Sequence, residues 1–245
     1  MKYFELLNKA KESTQESASH MNNQIILIVS RKLGFYVAPI FLLLNISANQ
    51  ISILGLFLGI FSSLYLYQGK IYIGVLLYII ILILDNADGT VARVNDEATF
   101  FGRFIDGYIG IVVDFIMRLG LSGLVATYQG TSYLFYLGIL STILCPLQYF
   151  IYDRYSTFVR WIKEEGVEIN IMPYLIPETP RLINLIIDLR QISLLLLPLL
   201  SYLNYNIFIL ISTFFLLCVI EALHGITKHF QAANTHFRVN AKHHR

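Results

Sequence analysis

Asp85, Asp88 and Asp106 stand where a negative charge is poorly accommodated. Fourteen uncharged residues, Ile71 to Leu84, run directly into Asp85. Asp85 and Asp88 are three residues apart and share one face of a helix. Asp106, at the start of the next apolar stretch, can face them across a short loop. Carboxylates that converge in poorly hydrated surroundings repel one another unless cations lie between them. All-oxygen donor sets of this kind suit hard divalent ions such as Mg²⁺ or Mn²⁺, and acids at the end of an apolar helix mark functional sites by default. Such ions most often serve phosphate chemistry, so the cluster points to a metal-dependent enzyme working at a membrane.

The elements that must hold these residues are apolar helices. Hydrophobic residues make up 56% of the 245-residue chain and charged residues 14%, with a mean hydropathy of +0.62. That balance excludes an ordinary soluble domain. Six stretches are long enough, or nearly so, to cross a bilayer: near 50–67, 71–93, 103–127, 131–152, 187–203 and 205–227. Turn-like or polar residues separate them, including Gln68-Gly69-Lys70, Gln129-Gly130 and Asn204 to Asn206. The expected fold is an all-α, polytopic, six-helix membrane bundle forming one domain over 24–227. A cytoplasmic segment, 1–23, precedes it and a basic cytoplasmic tail, 228–245, follows.

Charge placement orients the bundle. With six spans, both termini and the two longer connections share a side, and that side carries nearly all the Lys and Arg. The opposite loops carry only Lys70, so the termini and the Asp cluster are placed in the cytoplasm, at a bacterial inner membrane. The basic residues are spread over loops and tails beside the membrane, which argues against nucleic-acid binding. Met1 to Asn23 is polar and does not read as a signal peptide. Gln24 to Asn45 is apolar but interrupted by Arg31 and Lys32. It reads as an interfacial amphipathic helix on the cytoplasmic surface rather than a seventh span. Cys145 and Cys218 fall inside spans, without metal-binding spacing, and read as core residues. Lys163 to Pro180 reads as a loop.

The carboxylates belong to a longer pattern: Asp85-x-x-Asp88-Gly89-x-x-Ala92-Arg93, eight residues, then Gly102-x-x-x-Asp106. This resembles the CDP-alcohol phosphotransferase family. Its members move a phospho-alcohol from a CDP-linked donor to an acceptor hydroxyl and release CMP. Upstream, Ile46 to Ser52 resembles the family's segment before its first span, with Ala48 where a Pro is usual. The resemblance implies that Asp85, Asp88 and Asp106 hold two divalent ions and that Asn49 and Thr99 contact the nucleotide. It also implies a lipid, or a phosphorylated alcohol or sugar, as acceptor, and a homodimer. On physical grounds Gly89 would leave room for a close pyrophosphate, and Gly102, in the short cytoplasmic turn with Thr99, is counted with the donor-binding residues. Arg93 would grip phosphate oxygens through its planar fork, and Ala92 would let the second and third spans pack closely. Blander roles remain open: Asn49 as a helix cap, Arg93 as an interfacial cation, Thr99 as a turn residue.

One position departs from the family. Gly110 stands where a fourth Asp is expected, and in the family that residue resembles both a metal ligand and the base that deprotonates the acceptor. Asp114, one turn further, is the first replacement base and Glu221 the second, although Arg118 offers Asp114 an ion pair instead. Arg154, Arg160, Arg181 and Arg190 flank the fifth span and suggest a basic pocket for an acidic acceptor. The alternatives to an active transferase are a catalytically degenerate nucleotide- and metal-binding partner subunit, or a transporter motivated by the charges inside the spans.

Overall fold

The long apolar runs leave each backbone group only its own helix for hydrogen bonding. In a computed structural model that describes residues 2–15, 25–127, 132–164, 181–203 and 206–238, every regular element is accordingly helical. The elements are α1 (Lys2–Gln15), α2 (Ile25–Leu43), α3 (Ala48–Tyr67), α4 (Ile71–Val94), α5 (Phe100–Ala126) and α6 (Ser132–Glu164). They continue with α7 (Arg181–Leu195), α8 (Leu197–Tyr202) and α9 (Phe208–Arg238). Pro198 falls at the start of α8, where a missing N–H costs nothing, and the chain restarts there after a break at Leu196. The expected turn at Gln129-Gly130, residues 204–205, the loop 165–180 and the tail 239–245 lie outside the described residues. α9 itself continues past residue 227 to Arg238.

Among the described residues seven helical stretches, not six, are long and apolar enough to cross a membrane by length and composition, one of them running through α7 and α8. The additional one is Ile26–Leu43 within α2, whose only charges are Arg31 and Lys32. Two charges in such an apolar segment do not bring its hydropathy below that of a span.

The packing order is a ring. α3 packs against α4 and α5, α5 against α6, α6 against α9, α9 against α7, and α7 and α8 return to α4. Small residues draw α3 and α5 together. A Cβ on Gly120 would lie 2.5 Å from the Ser63 carbonyl oxygen, and one on Gly59 would lie 2.9 Å from Val113. Hydroxyls tie α3 to both neighbours, Ser63 Oγ donating to the Ile116 carbonyl of α5 at 2.6 Å and Ser62 Oγ to the Gly74 carbonyl of α4 at 2.7 Å. α4 and α5 barely touch; both lean on α3. The expectation that Ala92 serves packing between these two spans is therefore wrong, because α3 separates them and Ala92 lines a cavity instead.

α2 packs against α4. Ala38, Leu84, Ala87 and Val91 form a buried cluster with Ile51. Gly34 permits the approach, since a Cβ there would lie 2.9 Å from Asn86 Cβ. Asn86 Nδ2 then donates to Ser30 Oγ at 3.2 Å. These contacts to α4 fall within its second half, beside Asp85 and Asp88.

Candidate active site

Two tight turns set the site. α2 ends at Asn45, at φ 54°, and Ser47 caps α3 through a reciprocal capping box with Gln50. Asn49 is thus not the cap of α3, and its side chain is left for another role. α4 ends at Asn95, Asp96 turns the chain at φ 55°, and Thr99 caps α5 by accepting from the Gly102 N–H at 3.0 Å. Only residues 95–99 separate the two helices, which brings Thr99 and Gly102 beside the start of α3.

The first cavity, of about 360 Å³, is lined by Asn49, Ser52, Asp88, Gly89, Ala92, Arg93, Thr99, Gly102, Arg103 and Asp106, among others. A Cβ on Gly102 would lie 3.3 Å from Thr99 Oγ1 and 3.5 Å from Asn49 Oδ1, so the three residues meet at one wall. Across from them Arg93 lies over Gly89, its Nη1 3.4 Å from where a Cβ would stand. Arg93 Nη2 donates to Thr90 Oγ1 at 3.3 Å, and its buried Nε has no hydrogen-bond partner. All five residues implicated in nucleotide contact therefore line one cavity.

A second cavity, of about 290 Å³, adjoins it and shares Ser52, Asp88 and Asp106. Its lining adds Asp85, Gly110, Asp114, Tyr78, Tyr149, Arg190 and Gln191. Asp85, Asp88 and Asp106 all line it, and none of them has a Lys or Arg within ion-pair distance among the described residues. Asp88 is buried and oriented, its Oδ2 accepting from Ser52 Oγ at 2.6 Å and its Oδ1 from the Gly89 N–H at 2.5 Å. Sequence reasoning missed Ser52. Its place three residues after Asn49, on the same helix face, was the available signal.

The carboxylates do not close on a single point: among the described residues no three His, Cys, Asp or Glu side chains form a ready-made metal cage. The chemistry of the donor set still fits a hard divalent cation, being three carboxylates on one cavity with no cationic side chain neutralising them. It also fits ions held partly by a ligand's own oxygens rather than by the protein alone.

Deeper in the bundle the arrangement changes. Asp114 Oδ2 receives Arg118 Nη2 at 2.6 Å, and Arg190 Nη1 approaches it at 3.7 Å. Arg190 Nη1 also lies 3.2 Å from Glu221 Oε2. Arg118 Nη1 donates to the Ser141 carbonyl at 2.8 Å, and Cys145 Sγ lies 3.5 Å from Asp114 Oδ2. The expected Asp114–Arg118 pair is present. Glu221 does not line the second cavity and is engaged by Arg190. Two of the four arginines suggested for a basic pocket lie apart. Arg190 is engaged in this ion-pair network, whereas Arg154 stacks over the Phe158 ring at 5.1 Å and lines a different groove. The side chain of Arg181 lies outside the described residues.

The sequence profile of the CDP-alcohol phosphatidyltransferase family matches residues 45–223, most of the chain. The chain belongs to this family of membrane transferases. A bifunctional IPC transferase and DIPP synthase from Aquifex aeolicus is 36% identical over 94 residues, which is 38% of this chain and 22% of that protein. The matched stretch therefore spans about a fifth of that relative's length. Among solved structures, the phosphatidylinositol phosphate synthase of Mycobacterium tuberculosis in complex with manganese and citrate superposes with a TM-score of 0.63. The identity is 16%, over 85% of this chain and 91% of that one. The same enzyme with CDP-DAG bound gives a TM-score of 0.61 at 15% identity, over 90% of this chain and 98% of that one. At that identity the likeness shows a shared fold.

Proposed function

We propose that the protein transfers a phospho-alcohol from a CDP-linked donor to an acceptor hydroxyl, releasing CMP. The observation that carries this reading is the pair of adjoining cavities that share Asp88 and Asp106. One has the wall of Asn49, Thr99 and Gly102 facing Arg93 over Gly89, a shape suited to a nucleotide and its phosphates. The other extends past Gly110 and suits an acceptor. The donor class is supported by the family and by the CDP-DAG complex of the structural relative. Asp85, Asp88 and Asp106 would hold Mg²⁺ or Mn²⁺, in two ions. When bound, such ions neutralise pyrophosphate charge and favour the departure of CMP. Ser52 fixes the Asp88 carboxylate, and Arg93 orients the donor phosphates.

The acceptor's proton must go to a group other than residue 110. Asp114 is the better placed of the two acids, since it lines the second cavity and Glu221 does not. A Cβ on Gly110 would meet nothing within 4 Å, so space remains between Asp114 and the three carboxylates. The Arg118, Arg190 and Cys145 contacts all converge on Oδ2, and Oδ1 has no protein hydrogen bond among the described residues. Oδ1 would take the hydroxyl proton as the acceptor oxygen bonds to phosphorus and the P–O bond to CMP breaks.

The ion pair of Asp114 with Arg118 favours a second reading, a catalytically silent subunit that retains nucleotide binding. Incubating purified protein with native lipids, labelled CMP and Mg²⁺ or Mn²⁺ separates the two. Labelled CDP-linked product, identified by mass, supports the transferase. CMP binding without any product, with release restored by Gly110→Asp, supports the silent subunit.

The site opens to the cytoplasm, both termini lie there, and α2 lies along that surface of a bacterial inner membrane, in keeping with its contacts to the Asp85 end of α4. Cysteine labelling near residues 10, 129 and 240 tests this topology, and labelling of residue 10 or 240 from outside overturns it. The acceptor is a lipid or a phosphorylated alcohol or sugar. The working unit is a homodimer, which cross-linking in native membranes checks.

A further inference from the structure

A third cavity, of about 300 Å³, lies between the C-terminal parts of α6 and α9 and shares no residue with the two at the active site. Phe150, Ile151, Tyr155, Phe158, Phe230 and Ala233 line it, with Arg154 and His229. About twenty helical residues cross a hydrocarbon core of about 30 Å. Counted from Ser132, that brings α6 to Ile151, and counted from Phe208 it brings α9 to Thr227. The groove therefore begins at headgroup level, at the same end of the bundle as Asp85.

Its charges are one-sided. Over residues 150–162 and 226–235 the two helices carry Arg154, Arg160 and Lys228 against Asp153 alone. Arg154 is exposed and held over the Phe158 ring at 5.1 Å. The His229 ring stands edge-on to Tyr152 at 5.2 Å, and its Nδ1 donates to the Gly225 carbonyl at 2.6 Å. That bond fixes Nδ1 as the protonated nitrogen. An aromatic trough that opens at headgroup level beside the cationic Arg154 matches a hydrocarbon chain joined to a phosphate.

We propose that this groove binds one acyl chain of an anionic phospholipid, whose phosphate is held by Arg154. The test is native mass spectrometry of the full-length protein in neutral detergent, titrated separately with phosphatidylglycerol, phosphatidylcholine and chain-free glycerophosphate. The wild type is expected to retain phosphatidylglycerol about tenfold more tightly than phosphatidylcholine, the scale of one charge-assisted hydrogen bond, and to bind glycerophosphate weakly. Arg154→Gln should remove that preference. Ala233→Trp should fill the trough and lower retention of both lipids, and CDP binding should be unchanged in both variants. Equal retention of the two lipids by the wild type overturns the proposal. So does unaltered selectivity in Arg154→Gln, glycerophosphate binding as tight as the lipid, or a protein dimer that occupies the groove in place of lipid.

Discussion

Two acidic clusters meet at one cavity, and the chain treats them oppositely. Asp85, Asp88 and Asp106 have no arginine or lysine at ion-pair distance among the described residues. Asp114 and Glu221, deeper in the bundle, are matched one for one by Arg118 and Arg190. Asp88 is buried with no ionic partner, at a cost of roughly several kcal/mol, while Asp85 and Asp106 are exposed beside it, so the difference reflects purpose. The deep cluster is neutral with the protein alone and ties α5, α7 and α9 together. The other is complete only when cations arrive from solution, which is what a site for a metal–nucleotide complex requires.

The largest expected effect falls on the uncompensated cluster. Asp88→Ala should eliminate formation of the labelled CDP-linked product from CMP, because it removes a carboxylate shared by both cavities. Retained turnover would mean that the other acids suffice and that the contrast between the clusters is incidental.

Asp114→Asn comes next and tests whether the neutral cluster has a chemical role as well as a structural one. Turnover should fall by about 10²–10⁴-fold, the scale for loss of a general base, with CDP affinity near the wild-type value. The companion Glu221→Gln should lower thermal stability, because Arg190 loses its nearer partner, and should leave turnover of the folded protein within a few-fold. Equal losses of turnover in the two variants would return Asp114 to ion pairing alone.

A smaller effect is expected for Arg93→Lys. The charge stays but the planar fork is lost, so donor affinity should weaken by about 1–3 kcal/mol, while Mn²⁺ affinity changes less. Calorimetry with CDP and with Mn²⁺ separately reads the two. The smallest effect concerns the scaffold. Gly120→Ala would press a methyl group against the Ser63 carbonyl and should cost about 1–3 kcal/mol of stability, seen as a lower unfolding midpoint in detergent.

The metal and nucleotide candidates could be named because they lie in one continuous stretch, 85–106, whose pattern resembles a known family, with helix periodicity placing Asp85 and Asp88 on one face. Asn49 joined them through a second short pattern at the start of α3. Contacts between helices distant in sequence were not legible. Nothing local says that Ser52 reaches Asp88, that α3 separates α4 from α5, or that Arg190 turns into the bundle towards Glu221 rather than out to the cytoplasm. The count of apolar helices also differed, because α2 has the hydropathy of a span and charges suited to a surface. Its contacts with the Asp85 end of α4 emerge only from packing.

The contrast between the clusters is tested most directly by titrating Mn²⁺ calorimetrically into the wild type, Asp88→Asn and Asp114→Asn, each with and without CDP. Wild type and Asp114→Asn should bind Mn²⁺ similarly, more tightly when CDP is present, and Asp88→Asn should lose both the binding and the enhancement. Mn²⁺ binding that survives in Asp88→Asn and disappears in Asp114→Asn would place the cation at the deep cluster and contradict the assignment.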